Sequence, residues 1–326
     1  MPRRYFESDS DSPEESWRRI RALRSGPPAG MPPSRRTLFS SSLEQAQQQF
    51  EAAAGVGFES RALNLYYGLS QAGRAIAAAL TPSNMGKSPE VSGHGLRVAD
   101  FQSAKAKDFW DIKVRAEGND DTSYGRLATL LGSAPLLSPV SLGQIWHMIP
   151  ELHLDHPIGK FIEPRWVHRP YPRSGFPPES AFTLQASEDE MDQNAAKLRA
   201  LYPDLKDAKV LKFKGGSYSE DNGVRTDEAV FSHEGQPAPM RRLRSSIALM
   251  PACGDGQYSL DPLLTWWVLL YTLSMITRYK PVMWTEVIDV NRSPLAVPLE
   301  TLLSKALEAV PAQIRLTLSS TDVTTL

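Results

Sequence analysis

The stretch that most restricts the fold is SLDPLLTWWVLLYTLSMITRYKP, Ser259 to Pro281. Asp261 can cap a helix, Pro262 suits its first turn and Pro281 ends it, so about 18 residues are predicted helical. At 1.5 Å per residue the run spans roughly 27 Å, slightly short of a bilayer's hydrocarbon core. It is apolar all round, and such a helix either crosses a membrane or lies inside a large core. Thr265, Thr272, Ser274 and Thr277 interrupt it, and Arg278 and Lys280 follow without a polybasic loop. Burial is the reading that fits, with Trp266 and Trp267 filling core volume.

Such a helix needs other apolar surfaces around it, and the chain can supply them. Its 326 residues are 41% apolar and 22% charged, which suits one large domain or two. The single cysteine, Cys253, excludes an internal disulfide framework and fits a reducing cytosol. The first residues, MPRRYFESDSDSPEES, lack the apolar core of a secretory signal. Lys and Arg total 36 against 37 acids, and a net charge of -1 exerts no general pull towards nucleic acid or anionic membrane. The local exception is Arg3, Arg4, Arg18, Arg19, Arg21, Arg24, Arg35 and Arg36. Acids interleave with these arginines, so they read as a solvated arm and helix rather than a phosphate site.

Along the chain, Ser12 to Glu15 forms a capping-box start for a first helix, and SGPPAGMPPS forms a stiff link. Ser42 to Gln45 reads as a second capping box, with Gly55 and Gly57 closing that helix. A longer helix is predicted from about Glu59 to Leu80, then a Gly/Ser/Pro loop from Pro82 to Gly95. SLGQIWHMIPEL from Ser141 reads as a short buried helix stopped near Pro150. Pro157 to Pro178 reads as extended chain. AFTLQ, KVLKFK, EAVFS and SSIALM read as strands, with a helix in EDEMDQNAAKLRALYP between the first two. PLETLLSKALEAV gives a last helix, and AQIRLTLSS a closing strand. The expected class is α+β, mainly α: a helical bundle with a small α+β insertion. Its expected divisions are 1–36 (Arg-rich helix and linker), 37–156 (helical), 157–255 (small α+β module) and 256–326 (helical, packing with 37–156).

Several stretches then align with one family. FSSSLEQAQQQFEAAAGV, LNLYYGLSQAGRAIAAA, SGHGL, HMIPEL and DPLLTWWVLLYTLSMITRYKPVMW occur in order, followed by a Leu/Pro-rich helix. This succession resembles the YaaC-like proteins of bacteria, over most of the chain from about Thr37 onward. The resemblance implies a soluble, cytoplasmic, mostly helical protein. It carries over no catalytic roles.

Candidate site residues come from the residues themselves. On the helix from Glu59, Leu65, Leu69, Ala72 and Ile76 form one stripe. Ser60, Asn64, Tyr67, Gln71 and Arg74 fall together on another. That polar stripe is either a solvated face or a cleft in which Arg74 offers a fork to phosphate or carboxylate, with Asn64, Tyr67 and Gln71 orienting a ligand. His94 lies between two glycines in SGHGL, where it can serve as a general acid or base or simply hydrogen-bond within a turn. HEPN ribonucleases also pair an Arg with a His beside a helical bundle, but four to six residues apart on one helix. Here nineteen residues separate Arg74 from His94, and Arg165 and His168 are too close, so that likeness is analogy.

Other groups read as structural. His147, His153, His156 and Asp155 match no common zinc spacing, so no metal is expected. KGGS at Lys214 lacks P-loop spacing and reads as a turn. Cys253 has no supporting His motif, SEDEMD is a helix start, and Arg278 and Lys280 complement a helix C-terminus. With no intact catalytic constellation, the leading expectation is a cytoplasmic interaction or regulatory protein without a cofactor. It would have a protein partner, a second copy of the chain included, and no membrane. The rival is a nucleotide- or RNA-directed enzyme using Arg74 and His94, which requires the 82–93 loop to fold His94 back onto the face of Asn64, Tyr67 and Arg74.

Overall fold

The structure, a computed structural model, describes residues 12–28, 31–82, 88, 90–153, 156, 158, 161–168, 181–185, 195–205, 209–218, 225–232, 241–243, 246–254 and 259–319. In chain order the elements are α1 (Pro13–Ser25), α2 (Pro33–Gly55), α3 (Phe58–Leu80), β1 (Leu96–Val98), β2 (Lys113–Ala116), α4 (Ser123–Leu131), β3 (Val140–Ser141), α5 (Leu142–His147) and α6 (Pro150–His153). Then come β4 (Arg165–His168), β5 (Ala181–Gln185), α7 (Ala195–Leu201), β6 (Lys209–Tyr218), β7 (Arg225–Ser232), β8 (Arg241–Leu243) and β9 (Ser246–Leu249). The chain closes with α8 (Pro262–Tyr279), α9 (Pro281–Val287) and α10 (Ala296–Ser319). The protein is mainly helical α+β. It divides into a larger unit, within 10–161 and 260–326, and a smaller one containing 162–259.

In the larger unit α8 is the axis of the core. The Asp261 side chain accepts from the Leu263 N–H at 2.9 Å and Pro262 occupies the first turn, so both start signals act as expected. Leu263 to Leu270 are all buried, and Trp266 and Trp267 are 2% and 0% exposed. The polar residues of this helix bond within it: Thr265 donates to Asp261 O, Thr272 to Val268 O, Ser274 to Tyr271 O and Thr277 to Leu273 O. Each hydroxyl is thereby satisfied in an environment where an unpaired one would cost about 1–3 kcal/mol. Among the described residues no helix is long and apolar enough to cross a membrane.

Helix α3 lies against α8 through its small residues. A Cβ on Gly73 would stand 2.4 Å from two ring atoms of Trp267, so glycine makes the slot that the indole fills. Leu65, Leu69, Ala72 and Ile76 are fully buried, as their spacing requires. A three-stranded antiparallel sheet, β1-β2-β3, adds Val98, Val114 and Val140 to the core, aligned across the strands. The smaller unit holds a six-stranded antiparallel sheet in the order β6-β7-β5-β4-β9-β8. All four predicted strands are in it, and α7 carries the described part of the helix expected before Pro203.

Four expectations need correction. Helix α2 starts at Pro33, not Ser42: Pro32 and Pro33 fix the entry, and Ser42 is buried in mid-helix. AQIRLTLSS is helical, because α10 continues through Pro311. Leu303, Ala306, Val310, Ile314 and Leu318 are all buried at helical spacing. Burying even two large apolar side chains, at about 1.5–3 kcal/mol each, offsets the roughly 3 kcal/mol cost of proline. KGGS is not a turn; it lies within β6, where the register with β7 shifts between Phe213 and Ser217. Finally, α4 and the β1-β2-β3 sheet fall in stretches for which no helix or strand was expected. The SEDEMD start and most of the extended stretch from Pro157 to Pro178 lie outside the described residues.

Candidate functional site

His94 is placed by a loop whose backbone is fixed at several points. Gly93 and Gly95 have φ of 58° and 73°, conformations that side chains disfavour. A Cβ on Gly95 would stand 2.4 Å from Thr122 Oγ1, so the chain could not pass here with a larger residue. Ser123 Oγ donates to Gly93 O at 2.7 Å, Tyr124 N to His94 O at 3.2 Å and Ser92 N to Asp121 O at 3.0 Å. Beneath them Arg126, 1% exposed, donates to Asp120 O and Ser88 O, each at 2.8 Å, and to Asp121 Oδ1 at 3.1 Å. One guanidinium thus fastens the incoming loop to the 119–122 turn, and the SGHGL backbone is built rather than floppy.

The half-buried imidazole rests on two helices. Tyr66 of α3 and His94 Nδ1 are 2.8 Å apart and hydrogen-bonded. The Tyr66 and Tyr271 rings each lie with centroids 5.6 Å from the imidazole and 5.5 Å from one another. Tyr271 donates its hydroxyl to Leu96 O at 2.6 Å. Burial pushes the Tyr66 phenol well up, and it pushes Tyr271 up to about 12, with Glu117 and Tyr279 adding to the effect. Both hydroxyls therefore remain protonated at neutral pH. His94 moves the other way: burial lowers it first, then the positive charges of Arg278 and Arg74. It is a neutral imidazole at neutral pH, with Nδ1 held and Nε2 left for other chemistry.

The contacts also show how the cations are arrayed. Gly73 meets Trp267, Tyr66 meets Tyr271, and Trp284 Nε1 donates to Glu59 O at 3.0 Å, so α3 and α8 run antiparallel. Arg74 lies two turns beyond Tyr66 on one helix, and Arg278 two turns beyond Tyr271 on the other. They flank the imidazole from opposite ends, each roughly 10 Å along its helix from the tyrosines. Arg74 is exposed and forms no ion pair or hydrogen bond among the described residues. Arg278 is exposed and donates to the Tyr279 hydroxyl at 2.8 Å, with no carboxylate partner among the described residues.

Taken whole, residues 4–318 match the YaaC-like protein family. The chain belongs to that family. No match is found among curated proteins or among solved structures. Family membership leaves the roles of this YaaC-like chain's residues to the geometry.

Of the residues singled out in the sequence, Arg74 and His94 share one electrostatic neighbourhood. Tyr67 joins at the edge, 36% exposed, its ring 6.2 Å from that of Tyr66. Asn64 and Gln71 are half-buried on the same helix and make no side-chain hydrogen bond among the described residues. The histidines of the HMIPELHLDH stretch have separate duties: His147 Nε2 accepts from Ile158 N at 3.0 Å, and His156 Nε2 meets Thr301 Oγ1 at 3.2 Å. The His153 side chain and Asp155 lie outside the described residues. Of the six N-terminal arginines among the described residues, four are engaged: Arg18 and Arg19 pair with Glu15, Arg24 with Glu44, and Arg35 donates to Thr81 O.

Sequence reasoning missed Tyr66, Tyr271, Arg278 and Arg126. Tyr66 and Tyr271 sit on buried faces and read as core. Arg278 read as a helix-end charge. Only the spacing of an aromatic two turns before an arginine, Tyr66 and Arg74 on one helix and Tyr271 and Arg278 on the other, was available as a signal.

Proposed function

We propose that this YaaC-like protein acts on a nucleotide or RNA, with Arg74, Arg278 and His94 receiving phosphate and His94 Nε2 carrying a proton. The observation that supports this most is the pair of arginines without carboxylate partners among the described residues, set about one anchored, neutral imidazole. Arginine forks match phosphate geometry, and a neutral histidine suits proton transfer near pH 7. If Nδ1–H donates to Tyr66, Nε2 is a base; if Tyr66 donates to Nδ1, Nε2–H is a donor to a phosphate oxygen. The setting is the cytosol, in keeping with a single cysteine.

The test is binding and turnover of adenosine and uridine monophosphates, pyrophosphate and short RNA by the wild type, Arg74→Ala and His94→Ala. Loss of binding in Arg74→Ala, with loss of turnover but retained binding in His94→Ala, supports the reading. Binding or turnover indifferent to both substitutions overturns it. A second reading, a non-catalytic interaction or regulatory protein, is favoured by Tyr279 and Val282, 55% and 82% exposed close together at one end of α8. Phosphate-ligand binding without turnover, together with a co-purifying protein, selects it.

A further inference from the structure

We propose that the phosphate site continues into the open groove at the junction of α8 and α9, and that together they bind single-stranded nucleic acid as an extended strand. The proposal rests on the phosphate reading above and names its ligand class: a polynucleotide rather than a mononucleotide. Three observations carry it.

The first is span. Arg74 and Arg278 lie on antiparallel helices, in opposite directions from the Tyr66–Tyr271 contact. Their Cα atoms are therefore separated by roughly 20 Å of helix axis. Even with both side chains reaching inwards, that spacing suits successive phosphates better than one. The second is continuity. Arg278 is hydrogen-bonded to the Tyr279 hydroxyl, and its guanidinium lies 4.8 Å from the Tyr279 ring centroid. Tyr279 itself lines the groove, so the cation beside His94 and the groove wall are adjacent residues in contact.

The third is the groove's own chemistry. It encloses about 640 Å³ and is lined by Lys105, Lys107, Lys280, Tyr279, Val282 and Glu286, among others. Three cations thus face one carboxylate. Lys105 and Lys107 are exposed, on the 3₁₀ turn Ala106–Asp111 and the residue before it. Lys280 is partly committed: its ammonium donates to Gln102 O at 2.6 Å and lies 5.8 Å from the Phe101 ring centroid. It still contributes charge. Tyr279, 55% exposed, offers a ring on which a base can stack, a contact worth about 1–3 kcal/mol in single-strand binders. Lysines along a groove with an exposed aromatic are what a phosphate backbone with unstacked bases requires. A duplex hides its base faces and gains nothing from Tyr279. An acidic peptide would satisfy the lysines but leave that ring and the span between the arginines unused.

The experiment is fluorescence anisotropy with a labelled oligouridylate of about 12 nucleotides, a length within the range of single-strand sites. Competitors are uridine monophosphate, a duplex of equal length and polyglutamate. The variants are Lys105→Glu/Lys107→Glu and Tyr279→Ala, all at exposed positions, with folding checked by circular dichroism. Expected are binding of the oligonucleotide more than about tenfold tighter than of the mononucleotide, and loss of that advantage in the double variant. The salt slope should fall by about 1.4, the value for two lost phosphate contacts on a single strand. Mononucleotide binding should stay unchanged in the double lysine variant, while Tyr279→Ala, which removes the stacking ring, should weaken oligonucleotide binding. If the mononucleotide binds but the oligonucleotide gains nothing, the groove proposal fails and the phosphate reading stands. If neither binds, both fail. Tighter binding of the duplex or of polyglutamate also overturns the proposal, the latter in favour of an acidic partner.

Discussion

Replacing Arg126 by methionine tests whether the SGHGL loop is held as described. Methionine keeps much of the aliphatic volume of this fully buried side chain while removing its five donors. Two charge-assisted bonds from a fully buried donor, to Asp120 O and Ser88 O at 2.8 Å, are lost. At about 1.5–3 kcal/mol each, they amount to about 3–6 kcal/mol. The third partner, Asp121, has a side chain 58% exposed, so its ion pair adds under about 1 kcal/mol. For a domain of this size, each kcal/mol moves Tm by about 2–4 °C, so differential scanning calorimetry should show a drop of at least about 6 °C. Protease cleavage within the 82–95 loop should accelerate in parallel, because the carbonyls that Arg126 gathers are released. A Tm within about 2 °C of wild type, with unchanged cleavage, would refute the argument that one buried guanidinium organises the loop.

Other outcomes follow from single contacts. Leu269→Asp places a carboxylate at a fully buried position, costing several kcal/mol or forcing its protonation; the soluble yield should collapse, and unchanged thermal unfolding would argue against burial. Gly95→Ala should lower stability by about 1–3 kcal/mol, read by urea denaturation, since the left-handed φ and the Thr122 contact both oppose a side chain. Arg278→Gln removes a positive charge that disfavours imidazolium, so the His94 midpoint, followed by NMR, should rise; no change would separate Arg278 from the site. Because His94 is lowered in the folded protein, the unfolded chain binds the extra proton first. This group's contribution is full above its ordinary value of 6.5 and is lost as pH falls from there towards the folded midpoint, a trend that His94→Gln should flatten in urea denaturation across that window.

The legible parts of the fold were those written in local chemistry. Asp261-Pro262 announced its helix and that cap forms as read; the helix expected from Ser141 is present too, begun by a Ser141–Gln144 capping box that was not anticipated. The stripe from Leu65 to Ile76 announced its buried face. Misreadings came where tertiary packing outweighed a local signal. AQIRLTLSS, which follows Pro311, read as a strand, yet Val310 and Ile314 are both buried and the helix continues through the proline. Ser42 looked like a cap, but Pro33 had already started the helix. The site divided in the same way. His94 between glycines and Arg74 on a polar stripe were visible, whereas Tyr66 and Tyr271 were concealed as core aromatics. Their meeting across two antiparallel helices, separated by some two hundred residues of chain, has no local trace.

The phosphate site itself is tested most directly by following the His94 imidazole by NMR as pyrophosphate is added to the wild-type protein. An anion held beside the imidazole by Arg74 or Arg278 offsets a charge that disfavours imidazolium and adds one that favours it, and linkage makes the effect reciprocal. The account predicts that the His94 midpoint begins below the ordinary histidine value of 6.5, rises on saturation with pyrophosphate, and that pyrophosphate binds more tightly at acidic pH. In Arg74→Gln the rise should shrink. A His94 signal that titrates identically with and without saturating pyrophosphate would contradict the account.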